Sequence, residues 1–173
     1  MDILYGFPNK LIHNIGTKIM LDNVINRFMM YKDNEYENVF ELPEIENPIA
    51  LLKDKKVFYG RRVATVLKEA DISIYITLYD YRPYIKRYDK SRLINTAKIE
   101  IGIVCHDNCR NSLNGLRDIA VGSRIVDIFK EEQNLGTIGR IKLESFRPSY
   151  NMPTDYHGFQ IILSAESEVS NDV

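Results

Sequence analysis

The chain has 173 residues, 45% of them hydrophobic, enough for one domain that buries roughly two thirds of the surface its unfolded form exposes. Lys plus Arg number 23 against 24 Asp plus Glu, so there is no long-range attraction for nucleic acid or an anionic membrane, and a charged partner must be met locally. No apolar run approaches the roughly 20 residues of a bilayer span, the N-terminus lacks a basic start followed by a long apolar stretch, and Cys105 and Cys109 are too few for a disulfide framework, so a reducing cytoplasm is the expected compartment.

The first predicted element is a helix from about Lys10 to Tyr31, with Leu11, Ile12, Ile15, Ile19, Phe28 and Met29 at helical spacing and Asn9 as N-cap. Lys32 to Glu46 is polar and reads as a connection ending at Leu42-Pro43. Asn47-Pro48 then opens a short helix with Ile49, Leu51 and Leu52 on its apolar side. Val57 to Tyr59 is a short strand candidate closed by Gly60, while Val63 to Leu67 fits either a strand or a turn of helix.

From Ile72 to Tyr79 the alternation is clean: Ile72, Ile74, Ile76 and Leu78 share one side. A polar, basic loop is expected from Asp80 to Asn95, leading to a second strand in which Ile99, Ile101, Ile103 and Cys105 share a side. The two strands can pair antiparallel. A helix follows from about Leu113 to Glu132, its buried side formed by Leu116, Ile119, Ala120, Ile125, Val126 and Phe129, with Asn134 and Gly136 as its stop. Ile138 to Phe146 and Gly158 to Glu166 give another pair of strands, with Ile141, Leu143, Phe159, Ile161, Leu163 and Ala165 on the buried face and Arg147 to His157 as a long link. Adjacent strand pairs with a helix between them predict an α+β fold, a mainly antiparallel sheet packed against helices in two layers. Residues 1–166 form a single domain in this reading, and 167–173 a disordered tail.

Chemistry-bearing residues cluster at Cys105-His106-Asp107-Asn108-Cys109. Thiolate and imidazole are good ligands for zinc, but the spacing is wrong for a knuckle and only His13 and His157 remain to complete four ligands, so no metal or other cofactor is expected. A thiol nucleophile needs a base beside it, and neighbours on a strand point to opposite faces, which separates Cys105 from His106. Pairing Asp107 with Glu100 or Asp155 for acid–base work has no spacing argument behind it. Gly136-Thr137-Ile138-Gly139 lacks the Lys and helix of a phosphate loop and reads as a turn. The remaining signal is Arg82-Pro83-Tyr84-Ile85-Lys86-Arg87-Tyr88-Asp89-Lys90-Ser91-Arg92, which mixes cations with aromatics as single-strand binders do. An arm of that length on a regular sheet contacts either nucleic acid or a neighbouring subunit, and Arg61-Arg62 could join the same surface.

The order of elements, the strand Lys98 to His106, the helix Leu116 to Glu132, the run Gly136-Thr-Ile-Gly-Arg-Ile-Lys-Leu-Glu-Ser-Phe-Arg-Pro148 and the last strand Gly158 to Ala165 resemble bacteriophage neck proteins of the tail-terminator or tail-completion type. The resemblance covers roughly Ile72 to Glu166 and carries no fixed functional residues. It implies a non-catalytic virion protein, synthesised in the cytoplasm of a bacterial host, that forms a six- or twelve-fold homo-oligomeric ring at the head–tail junction. Its implied partners are the portal or connector and tail proteins of the same virion, with passing contact to DNA in the channel and none to membrane. In that setting Arg82, Lys86, Arg87, Lys90 and Arg92 are expected at a subunit contact or near the channel. The alternative is a nucleic-acid-binding module using residues 82–92. A small hydrolase or transferase is a third reading, for which no nucleophile, base and orienting group come together in the sequence.

Overall fold

The computed structural model describes residues 6–60, 71–85, 92–130, 135, 137, 140–150 and 152–170. Helix α1 spans Phe7–Leu21 and α2 spans Asn23–Met30, where one continuous helix is predicted. The break is Asp22, whose backbone is extended and whose carboxylate accepts from the amides of Val24 and Ile25 at 3.1 and 3.0 Å. A short acidic side chain that captures the next two free amides starts a new helix more favourably than it continues the old one. The cap of α1 is Gly6, not Asn9, because Pro8 is tolerated in the first turn, where no amide is needed. Pro48–Leu52 forms α3 as expected, although Asn47 stands left-handed before it without a side-chain cap.

Strands β1 (Val57–Tyr59), β2 (Ile72–Ile85), β3 (Arg92–His106), β4 (Lys142–Pro148) and β5 (Tyr156–Ser170) form one sheet in the order β1-β2-β3-β5-β4. Only β1 and β2 run parallel; the other neighbours are antiparallel. Helix α4 (Arg117–Phe129) starts four residues later than predicted, since Ser112 and Gly115 close a tight turn through reciprocal backbone bonds. The expected α+β class with an antiparallel sheet against helices is the observed one.

The core lies between the helices and one face of the sheet. Register aligns Ile74, Ile103 and Phe159 in one rung, and Ile76, Ile101 and Ile161 in the next. Leu11, Ile15, Ile19, Ile25, Phe28 and Met29 from α1 and α2, with Val121, Ile125 and Phe129 from α4, are buried against it. Two expected core residues are corrected. Ile119 is exposed because the sheet-facing side of α4 is the i, i+4 row Val121, Ile125 and Phe129. Leu143 is exposed because β4 is the edge strand, with a register shift between Leu143 and Ser145. On the opposite face Tyr75 lies over its register partner Gly102, where an added Cβ would come within 1.9 Å of the ring. The Tyr75 hydroxyl donates to Oε1 of buried Glu100 at 2.9 Å.

Two sequence expectations fail in the strands. Asp80 to Ile85 and Arg92 to Asn95 are paired strand rather than loop, and Ser167 to Ser170 continue β5 opposite Arg92 to Asn95 rather than forming a tail. Local polarity suggested loops; cross-strand pairing, a long-range property, extends all three strands instead. The alternatives for Val63 to Leu67 and the turn at Gly136 and Gly139 lie outside the described residues.

Candidate functional site

The strands outrun their cover. A strand of 14 residues such as β2 reaches roughly 46 Å, whereas α4, with 13, reaches roughly 20 Å. One end of the sheet therefore extends past the helices as a three-stranded arm built from β2 (Thr77–Ile85), β3 (Arg92–Lys98) and β5 (Ser164–Ser170). The core face runs out along it: Leu78 and Tyr81, on the helix side of the sheet, are 42% and 40% exposed, and Tyr79, at the register shift before Asp80, is 53% exposed. Ala97 and Ala165 stand where the previous rung has Ile99 and Leu163, and Asn95 and Ser167 follow them, register partners whose buried amide oxygen and buried hydroxyl have no hydrogen-bond partner among the described residues.

Both long sides of this arm are open among the described residues. β1 stops at Tyr59 opposite Ile76, and the amide of Gly60 makes the last bond to the Ile76 carbonyl at 2.8 Å. β4 stops at Lys142 opposite Ser164. Beyond those points the outer rows of β2 and β5 have no strand partner among the described residues. Pro83, which supplies no amide, is compatible with β2 being an edge here.

Of the predicted site residues, Arg82 stands on the β2 edge with its side chain 79% exposed and its Nε 2.7 Å from Asp80. Such a surface pair contributes little to stability. Arg92 opens β3 opposite Ser170. Arg82 and Arg92 thus belong to the same arm; Lys86, Arg87 and Lys90, like Arg61 and Arg62, lie outside the described residues.

The cysteine cluster sits at the far end of β3. Cys105 Sγ and Cys109 Sγ are 3.8 Å apart and buried, because the 3₁₀ turn Asp107–Cys109 folds the chain back beside the strand end. The hydrogen bond with Cys109, with burial, pushes the Cys105 thiol up, and the same bond lowers Cys109. His106 Nδ1 accepts the Asn108 amide at 3.1 Å and so caps the turn instead of serving a thiol. His157 Nε2 lies 2.7 Å from Asp107 Oδ1, and His13 is on α1 beside Tyr59. The Asp107 amide donates to the Asp155 carbonyl at 2.9 Å, so these two residues meet through backbone, while Glu100 lies on the second face of the sheet. Among the described residues no three candidate ligands come together.

Sequence reasoning missed two polar anchors. Arg117 is fully buried and donates to the carbonyls of Asn111, Phe28 and Asn34 at 3.3, 3.3 and 3.1 Å, tying α2, the link after it and the turn before α4 together. Burial lowers its affinity for the proton. Arg124 makes a bidentate pair with Asp22, 2.7 Å at its shortest, so the residue that splits α1 from α2 also fixes both to α4. An arginine inside an amphipathic helix reads as a solvent-facing residue, and only its long-range acceptors reveal otherwise.

The model of the YomW family matches residues 22–165. No curated protein matches the chain. The matched span takes in α2, all five strands as far as Ala165, and most of the arm.

Proposed function

The chain belongs to the YomW family, and we propose that it is a phage-associated structural subunit, without catalysis, that closes into a homo-oligomeric ring at the head–tail junction. The family match supports the coarser part, an association with phage. The finer part rests on one observation: a sheet and helix body that carries an extended arm with exposed Leu78, Tyr79 and Tyr81 and two edges that have no strand partner among the described residues. Exposed apolar side chains in a contiguous row and unpaired strand edges are what a monomer avoids and a subunit uses. On this reading the virion neck is the protein's location, and connector and tail proteins flank the ring. The Arg82, Lys86, Arg87, Lys90 and Arg92 cluster then serves a subunit contact or faces passing DNA.

Light scattering on the purified protein, with negative-stain images of any large species, tests this. A closed ring of six or twelve copies is the expected result, and reversing Lys86 and Arg87 to Glu is expected to block it. A monomer that binds single-stranded DNA tightly, with affinity falling steeply as salt rises, would overturn the ring in favour of the nucleic-acid module.

A further inference from the structure

The chain has two thiols, and the fold brings them together. Along a strand, residues four apart stand roughly 13 Å from each other, yet Cys105 Sγ and Cys109 Sγ lie 3.8 Å apart. The 3₁₀ turn Asp107–Cys109, capped by His106, returns the chain to the end of β3. Both sulfurs flank one acceptor, the His106 carbonyl, at 3.7 Å from Cys105 and 3.3 Å from Cys109. Cys105 is fully covered and Cys109 is 4% exposed. A disulfide holds its sulfurs about 2.0 Å apart, so closure asks for a shift of about 2 Å, within the range of side-chain rotation.

We propose that Cys105 and Cys109 are a redox pair, which an oxidant of the peroxide or small-molecule disulfide class converts into an intramolecular disulfide that fastens the turn to the strand. The proposal stands apart from the ring reading. The bond between the thiols lowers Cys109 and raises Cys105, and the thiolate is the attacking species. Cys109 is therefore the attacking residue and Cys105 the resolving one. With hydrogen peroxide, the Cys109 thiolate attacks one oxygen and the O–O bond breaks. The hydroxide released takes up the proton that the thiol gave up, leaving water and a sulfenic acid on Cys109. The Cys105 sulfur then attacks the Cys109 sulfur, the S–O bond breaks, and the Cys105 proton leaves with the hydroxide as a second water. With a small-molecule disulfide the intermediate is a mixed disulfide on Cys109, and two small thiols are released.

The fastened turn is a joint between three elements. The Asp107 amide donates to the Asp155 carbonyl ahead of β5, and the Asp107 carboxylate meets His157. Arg110, next after the turn, accepts the Arg117 amide and pairs with Asp118 at the start of α4. A covalent loop from Cys105 to Cys109 removes freedom from the unfolded chain and so stabilises this joint.

The test oxidises the whole chain with hydrogen peroxide or with oxidised glutathione, then unfolds and alkylates it. Expected are a mass about 2 Da below the reduced chain, no alkylated cysteine, and an unfolding midpoint about 5 °C higher that falls back after dithiothreitol. Cys105→Ser leaves the attacking sulfur alone and is expected to end as a mixed disulfide with glutathione. Cys109→Ser leaves the fully covered thiol and is expected to stay reduced, and neither variant shows the higher midpoint. A Cys109→Ser protein that reacts faster than Cys105→Ser would overturn the assignment of the attacking sulfur. Should a serine variant fail to fold, the wild type still decides. Wild type that keeps both thiols in both oxidants, that passes to sulfinic acid without closing, or that links only between chains would overturn the pair. A disulfide that leaves the midpoint unchanged or lower would overturn its fastening role.

Discussion

The two ends of one sheet are made from the same strands and are held by different means. In the covered end, Ile76, Ile101 and Ile161 lie in one rung beneath the helices and are fully buried. In the arm the corresponding side carries Tyr81, Ala97 and Ala165, with the tyrosine 40% exposed at the edge. The first end is stabilised by apolar area removed from water; the second depends on the ladder of backbone bonds and leaves its area for something else. A sheet that continues after its helices end has its middle strand β3 paired on both sides, while its outer strands have no further strand partner among the described residues.

Substitutions at matched depths test that contrast most directly. Ile101→Ala, in the centre of the core, is expected to cost about 3 to 4 kcal/mol in chemical denaturation. Leu78→Ala, on the same face at the start of the arm, should cost less than about 1 kcal/mol, and show its effect as weakened assembly instead. Equal losses at the two positions would erase the distinction between the ends.

Arg117→Met probes whether the covered end depends on polar anchoring as well as burial. Three carbonyls lose their donor, partly offset by no longer burying a cation, for an expected net loss of about 2 kcal/mol. A variant as stable as wild type would mean that those carbonyls find other donors. Asp22→Ala removes the cap of α2 and the pair with Arg124 together, and about 1 to 2 kcal/mol is expected in thermal unfolding.

The smallest effect lies where β4 flanks the root of the arm. Glu144 is held below its ordinary 4.5 by hydrogen bonds from Ser164 and then Lys98, the latter at 3.1 Å. A carboxylate with a lowered folded value contributes stability that is fully present above pH 4.5 and is lost as pH falls through the folded value. Glu144→Gln should flatten that part of the stability profile slightly, an effect kept small by solvent at this exposed pair.

Periodicity located the described strands and the main helices, because side-chain alternation and helical spacing are local properties: the Ile72 to Ile76 and Ile99 to Cys105 rows are core rows in the fold, while Leu78, expected on the same side, is exposed where the helices end. Boundaries were less legible. The chain from Asp80 to Ile85 is polar, and nothing local distinguishes a solvated loop from a strand whose partner is supplied by Arg92 to Thr96. The same reason hid Ser167 to Ser170, which depend on β3 for their pairing. Asp22 was legible in principle as a capping residue, yet its neighbours keep helical spacing across it, and the break follows from the bonds it makes.

By itself the sequence determined the α+β class, the identity of the core rows and the presence of a basic, aromatic segment between two strands, since each depends on residue type at short spacing. The tertiary structure alone decided that this segment's flanks are strand, that Arg82 and Glu166 share a rung on opposite edges, and that Arg117 and Arg124 are anchors. Those are relations between residues far apart in the chain, fixed by register and by which carbonyl or carboxylate a folded helix brings within reach.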